Sequence, residues 1–547
     1  MRNQVLKNIS AFHVVYCGKR ITYSSATITL SFPLTMAMSM REIEPTKQIN
    51  VKDILPYIGD FGRYQKLLCF VLSVTVFPIA MQPTFAYFAT LTPSWRCLEK
   101  NSECPYNGTF PDTDERRCKI SSNSWTYIEG AEFSIATQYK LHCKQKFLLT
   151  LIVSIFFAGW GVGAILMGWI SDRYGRKVVI MPCVILSSVL ALISPFIPSV
   201  YVLILCRFLI GFVFPGVLLQ ATILITEYVG NDMRPIAKAL PSLAVNAAWM
   251  VVGLKSYVLK NWKHLSIACT VPYVFVFLFH FFIPESARWL HLNGRSDEAM
   301  KIFHKIAKWN KKELPSHVNL STNTTVTVYK PTSRISSLFK SKSLRLKTCV
   351  HTYIWMNVAL LSYGLQFAAK NLGGSIYFNF IMLAAVGLPA TFIAAFINRK
   401  FGRKASTCGH LLIGALMCLS IACVPDKSSI QVVKVVLGIL GRMCGSAAFF
   451  SVYLWLAEMY PTSIRAVAMG MMQVSARVGS AMSPWVVMEL GKFGKWIPFV
   501  VVGVISLLGA AIGCMLPETK GTLLEETISS THMKNDESES NVASVDT

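Results

Sequence analysis

A single arginine, Arg477, stands midway along an apolar run, Ile464–Leu490, within Ser475-Ala476-Arg477-Val478-Gly479-Ser480. A charge at the centre of a bilayer costs about 2.5–3.5 kcal/mol even on the gentler insertion scales, so this guanidinium must face a wet cavity or a partner. Its planar fork of donors can grip a carboxylate or sulfonate through two parallel hydrogen bonds. The alternative is a strut, with the arginine bound to a helix end or to backbone carbonyls. The acids decide which sign of ligand the region suits. Along the apolar runs and their borders they are Glu227, Glu458 and Glu489, each at a run's end. None is left at mid-depth to neutralise a cation. Phe449 and Tyr453 lie four residues apart, so a helix would put both rings on one face, where they could stack on a flat organic molecule or simply pack.

Long apolar helices must position these groups. Of 547 residues, 53% are hydrophobic and 15% are charged, against roughly 25% charged in soluble domains. The formal net charge of +25 does not indicate nucleic acid, because Lys and Arg fall between the apolar runs in the manner of positive-inside bias. Reading runs of about 20 residues places spans at Lys66–Thr90, Phe147–Met167, Val178–Ile197, Val200–Tyr228, Pro235–Leu259 and His264–Ile283. Six more follow at Lys347–Ala369, Gly373–Ile397, Ala405–Val424, Ile430–Ala457, Ile464–Leu490 and Lys495–Leu516. The expected fold is an all-α membrane protein with twelve transmembrane helices, lying in the lipid bilayer.

The polar segments set the topology. Residues 91–146 carry Cys97, Cys104, Cys118 and Cys143 and one glycosylation acceptor, Asn107 in Asn107-Gly108-Thr109. Four cysteines allow three pairings, and disulfides call for an oxidising compartment, so this loop is expected outside. Residues 284–346 carry twelve Lys and Arg against four Asp and Glu, which places that loop, and with it both termini, in the cytoplasm. Residues 1–52 read as a largely disordered extension, residues 53–283 and 347–516 as two six-helix bundles, and 517–547 as a polar tail. A nucleotide-binding glycine loop and HExxH or CxxC spacings are absent from the sequence, so no cofactor, metal or enzyme activity is expected.

The halves repeat each other. Gly168–Lys177, GWISDRYGRK, is echoed by Ile397–Lys404, INRKFGRK; the glycines at 168 and 175 are expected to permit close approach or a sharp turn. Arg207 and Glu227 in the fourth run match Arg442 and Glu458 in the tenth. Pro284-Glu285-Ser286 matches Pro517-Glu518-Thr519. On spacing from these landmarks, the second copy places Asn398 where the first has Asp172.

The GWISDRYGRK turn resembles the signature loop of the major facilitator superfamily. The long cysteine loop, Ile225–Gly230, Pro284–Leu290, Ala457–Arg465 and Leu516–Gly521 together resemble the organic ion transporter family, from about Asp53 to Thr527. The resemblance implies a major facilitator fold of two pseudo-symmetric bundles and alternating access around a midplane site. It implies a plasma-membrane transporter of a small organic ion, with no obligate protein partner. Arg in this part of the eleventh span is characteristic of the anion and carnitine branches, where cation transporters carry an acid; the alternative reading is an organic cation transporter. Anion carriers of the family often have a Lys in the eighth span, where this chain reads Leu388-Pro389-Ala390-Thr391, which favours monoanions or zwitterions. The resemblance puts Arg477, Phe449, Tyr453, Tyr363, Trp249 and Gln82 around the substrate. It puts Asp172, Arg176, Glu227, Arg403, Glu458 and Arg465 in salt bridges that close the inner side in the outward-open state.

Overall fold

A computed structural model describes residues 47–49, 54–98, 108–112, 114–121, 124–230, 233–314, 318–320, 335–425 and 430–521. Twelve long helical stretches account for most of them, and eight are long and apolar enough to cross a membrane by composition alone. Spans 1 to 6 are Arg63–Ala89, Phe147–Tyr174, Arg176–Ile193, Val200–Tyr228, Arg234–Val258 and Trp262–Phe282. Spans 7 to 12 are Lys342–Phe367, Ile376–Phe401, Arg403–Cys423, Gln431–Met459, Thr462–Pro484 and Ile497–Gly513.

The breaks inside these helices follow from proline, which lacks an N–H and crowds the preceding turn. Span 1 is interrupted at Met81, between Pro78 and Pro83. Span 6 is interrupted at Val271–Pro272, and span 8 at Val386, ahead of Pro389. Span 11 ends at Pro484 and continues as a π turn, Trp485–Glu489.

Within the first six spans, span 4 packs on 2 and 3, and span 1 on 4 and 5; within the last six, span 9 packs on 10 and 12, and span 7 on 10, 11 and 12. Between the two sets, span 2 packs on 11 and span 5 on 8. Both cross-set pairs involve close glycine contacts. A Cβ at Gly161 would stand 3.5 Å from that of Arg477, and one at Gly387 would run into the Asn246 amide.

Several expectations need correction. The turn between spans 2 and 3 is sharp at Gly175, but the helices reach further into it than the apolar runs Phe147–Met167 and Val178–Ile197: span 2 continues through Asp172 to Tyr174, and span 3 starts at Arg176. Gly168 sits inside span 2 with open space where its side chain would be, so it serves neither a turn nor a close approach. Span 7 starts at Lys342, capped by Ser341 Oγ on Leu344 N, because a polar first turn does not register as an apolar run. The extension contains a strand, Lys47–Ile49, paired in parallel with Val318–Leu320. The loop after span 6 holds two helices, Ala287–Leu292 and Ser296–Asn310. Asn310 clamps the second of these to the base of span 1, accepting from Tyr64 N (2.9 Å) and donating to Ile58 O (2.7 Å) and Gln65 Oε1 (2.9 Å).

The loop after span 1 is a small folded unit. Strands Thr109–Phe110, Trp95–Cys97 and Trp125–Tyr127 form an antiparallel sheet around the buried Trp95 and Trp125. Cys118 is joined to Cys143, and Cys97 is also disulfide-bonded. Cys104 and Asn107 lie outside the described residues.

Candidate functional site

Arg477 is 5% exposed, on span 11 where it faces span 2. Its guanidinium lies 3.7 Å from the ring centroid of Trp160, and Nη2 donates to Gln473 Oε1 at 3.3 Å. Nε and Nη1 are buried without a hydrogen-bond partner. The strut arrangement would have put these donors on helix ends or carbonyls. Instead two remain free, one on each edge of the guanidinium, beside an indole face that suits a cation. Gln473, one turn before Arg477 on the same face, also donates through Nε2 to the Tyr453 hydroxyl. One amide therefore links the guanidinium to the phenol.

Aromatic rings continue the wall. Tyr453 packs edge-on against Trp355 at 4.4 Å, with Phe449 at 6.0 Å from each. Tyr363 stands between Phe157 at 5.0 Å and Trp249 at 5.7 Å, and Phe157 stacks at 6.2 Å on Trp160. The structure thus brings Arg477, Tyr453 and Phe449 into one chain of contacts, and Tyr363 and Trp249 into an adjoining one through Phe157. Sequence reading missed Trp160, Gln473, Trp355 and Phe157. The i, i+4 relation of Gln473 to Arg477 was the one signal available for any of them.

Gln82 is differently occupied. Its Oε1 accepts from Arg207 Nη1 at 3.2 Å, and Phe85 lies under the same guanidinium at 4.6 Å. The second half repeats this with Gln366 Oε1 accepting from Arg442 Nε at 3.2 Å. A buried arginine with no acid in reach needs such an amide, so Gln82 serves Arg207. Trp249 also has a packing duty, since its Nε1 donates to Ala80 O at 3.1 Å.

At the Gly175 end the charges form two local locks. Gly175 has φ 109° and Gly402 φ 99°; a Cβ on either would meet the carboxylate of Glu285 (2.5 Å) or Glu518 (2.4 Å). These carboxylates cap the next helix. Glu285 Oε1 accepts from Arg176 N and Lys177 N, and Glu518 from Arg403 N and Lys404 N. Burial alone would raise the Glu518 carboxyl, but the N–H groups of Arg403, Lys520, Thr519 and Ala405 hold it below its ordinary range. Arg176 pairs with Asp172 at 2.6 Å, and Arg403 with Glu458 at 2.7 Å. Arg465 Nε donates to Tyr460 O, as Arg234 Nε does to Val229 O, and Glu227 Oε2 is buried without a hydrogen-bond partner.

Superposing the two glycines changes one equivalence. Asn398 matches Ser171, and Arg399 matches Asp172. Burial agrees: Ser171 and Asn398 are buried while Asp172 and Arg399 are exposed. Asn398 donates to Ser451 Oγ (2.9 Å) and Ala394 O (2.7 Å). Counting from more distant landmarks put it one residue out of register. With arginine at 399, Arg403 finds its acid across the helix pair, on Glu458.

At the opposite end the halves meet directly. Thr150 Oγ1 donates to Glu489 Oε1 at 2.6 Å, Trp485 Nε1 to Ser154 Oγ at 3.1 Å, and Lys370 Nζ pairs with Asp112 at 2.9 Å. Tyr87 and Phe88 of span 1 pack on Phe367, Tyr377 and Phe380 of the second half.

Twelve membrane helices in two repeated sets, each locked at a glycine turn and meeting beside the buried guanidinium of Arg477, define a transporter of the major facilitator fold. The E. coli xylose transporter in a partially occluded inward-open conformation aligns with TM-score 0.57 at 15% identity, covering 84% of this chain and 100% of that one. The model of the "Sugar (and other) transporter" family matches residues 107–529. Human "Solute carrier family 22 member 13" is 31% identical over 87% of this chain and 92% of its own length. "Organic cation/carnitine transporter 4" of Arabidopsis thaliana is 30% identical, covering 92% of this chain and 94% of that protein. Rabbit (Oryctolagus cuniculus) "Organic anion transporter 3" is 28% identical over 87% and 92%. The chain belongs to this transporter family, in its organic ion branch, and is a multi-pass membrane transporter working by alternating access.

Proposed function

We propose that the chain carries organic anions or carnitine-like zwitterions across the plasma membrane, with both termini and the Gly175 end in the cytoplasm. The observation that carries this reading is the buried Arg477 fork, whose Nε and Nη1 have no hydrogen-bond partner. A carboxylate could take either free donor together with the second N–H of Nη2, as a bidentate pair along one edge of the guanidinium. The stack on Trp160 and the bond to Gln473 fix the plane of the fork, so less ordering is left for the ligand to impose. Tyr453, Phe449 and Tyr363 supply apolar walls for the organic part. Asp172, Arg176, Glu227, Arg403, Glu458 and Arg465 act when the Gly175 end closes, re-pairing between halves.

The relatives' names include cation, carnitine and anion transporters, so the sign of the cargo needs a direct test. Uptake of an aromatic monocarboxylate, carnitine and tetraethylammonium is measured in cells lacking endogenous transport, for wild type and Arg477→Asp. Losing a hydrogen bond to a charged group costs about 1.5–3 kcal/mol, so carboxylate uptake falls at least about tenfold in the variant. Tetraethylammonium uptake by wild type, unchanged in Arg477→Asp, would show the arginine to be structural and the cargo cationic.

A further inference from the structure

Away from the central site, a groove of about 650 Å³ runs between the Gly175 turn and the two helices that follow span 6. Tyr174 and Val178 form its upper wall, and Trp289 and Ile302 its lower one. Val178 is 56% exposed at the start of span 3, so the upper wall continues into the surface that faces lipid. The walls are pinned together where Trp289 Nε1 donates to Asp172 O at 2.9 Å, and Ser286 Oγ caps the lower wall's own helix, accepting from Trp289 N at 3.0 Å.

The charges in the groove do not cancel. Glu285 is engaged by the N–H groups of Arg176, Lys177 and Ser286. Glu298 takes both Nε and Nη2 of Arg295, at 2.7 Å each. Lys177 and Lys301 also line the groove, and among the described residues neither has a salt bridge. Arg173 adds a cation beside the lining Tyr174, its guanidinium 5.7 Å from that ring and 5.9 Å from the Trp169 ring. Lys305 and Lys308, exposed four and seven residues beyond Lys301, extend the stripe along one helix face.

We propose that this groove binds one anionic phospholipid, its phosphate between Lys177 and Lys301 and its acyl chains along Val178 and the outer surface of span 3. Cations at the edge of a membrane span attract acidic headgroups, and exposed aromatic residues such as Trp169 and Tyr174 suit the headgroup depth. A free phosphate ion would use the lysines but not the apolar wall. The lipid would bridge the turn between spans 2 and 3 to the helix Ser296–Asn310, which Asn310 ties to span 1.

The test uses the full chain in mixed phosphatidylserine and phosphatidylcholine nanodiscs, released for native mass spectrometry to count retained lipid. Wild type is expected to retain phosphatidylserine in preference, and Lys177→Gln with Lys301→Gln to lose that preference by about tenfold. Lys495→Gln, near the opposite end, should keep it. Lys301→Gln alone, on an exposed helix position, should give an intermediate loss and serves if the double variant fails to fold. Equal retention of the two lipids by wild type, or an undiminished preference in a folded variant, would overturn the proposal. So would displacement of the lipid by glycerophosphoserine at concentrations matching those of the intact lipid, which would mark a site for soluble phosphate esters.

Discussion

The two ends of the bundle hold themselves together by opposite means. At the cysteine-loop end the hydrogen bonds Thr150–Glu489 and Ser154–Trp485, the ion pair Asp112–Lys370 and the Tyr87–Phe367–Phe380 rings all join one half to the other. At the Gly175 end, among the described residues, Asp172–Arg176, Arg403–Glu458 and the caps from Glu285 and Glu518 each stay within a half. The conformation is therefore closed across the cysteine-loop end, with each half internally braced at the other. A rocking transporter needs both: bundles rigid enough to move as bodies, and an interface whose contacts can be exchanged.

The contrast breaks most severely where the halves meet beside Arg477. Gly161→Trp would wedge an indole against Arg477, whose Cβ lies 3.5 Å from where the new Cβ would be. Transport should fall at least about tenfold, the cost of roughly 1.4 kcal/mol against the closed state, read as uptake against unchanged surface expression. Next come the bracing glycines. Gly175→Ala and Gly402→Ala combine a positive φ with a carboxylate less than 3 Å away, and each should destabilise its half by about 1–3 kcal/mol, seen as a lower melting temperature in detergent. If neither moves the melt, the caps are not what stiffens the halves. Smaller is Asp112→Asn. Lys370 is 44% exposed, so the pair is worth about 0–1 kcal/mol, and the variant should only modestly increase labelling of a cysteine placed at Phe157.

Acid should leave that same contact alone. Burial would raise the Asp112 carboxyl, but the charge of Lys370, with Thr92 and Lys146, holds it below the ordinary range. Its contribution is fully present above the unfolded value of about 3.9 and is lost only as pH falls through the lower folded one. Closure at the cysteine-loop end through Asp112 should thus be unchanged between about pH 5 and pH 8, measured by the same labelling. Opening at pH 6 would remove Asp112 as the cause.

The helices were legible because length and hydrophobicity are local properties: span 4 was read as Val200–Tyr228 and is observed as Val200–Tyr228. The polar start of span 7 escaped because a polar first turn leaves no apolar run, and the two helices after span 6 because their packing is decided by partners far along the chain. Asn310 meets Tyr64 across 246 residues. Arg477 stood out because a guanidinium inside an apolar run needs either a wet cavity or a partner. The bond of Gln82 to Arg207 was not legible because the two are 125 residues apart. Asn398 was misplaced because spacing was counted from distant landmarks rather than from the glycine whose backbone angle defines the turn.

The carboxylate caps also set an order of manufacture. Glu285 reaches back 109 residues to Arg176, and Glu518 reaches back 115 to Arg403. Since chains emerge N-terminus first, the first bundle can lock once its own Glu285 leaves the ribosome, before the second bundle exists. The second waits until Glu518, beyond span 12, has been made. A premature stop before Glu518 would leave eleven or twelve helices made and one clasp open, a product for quality control to recognise.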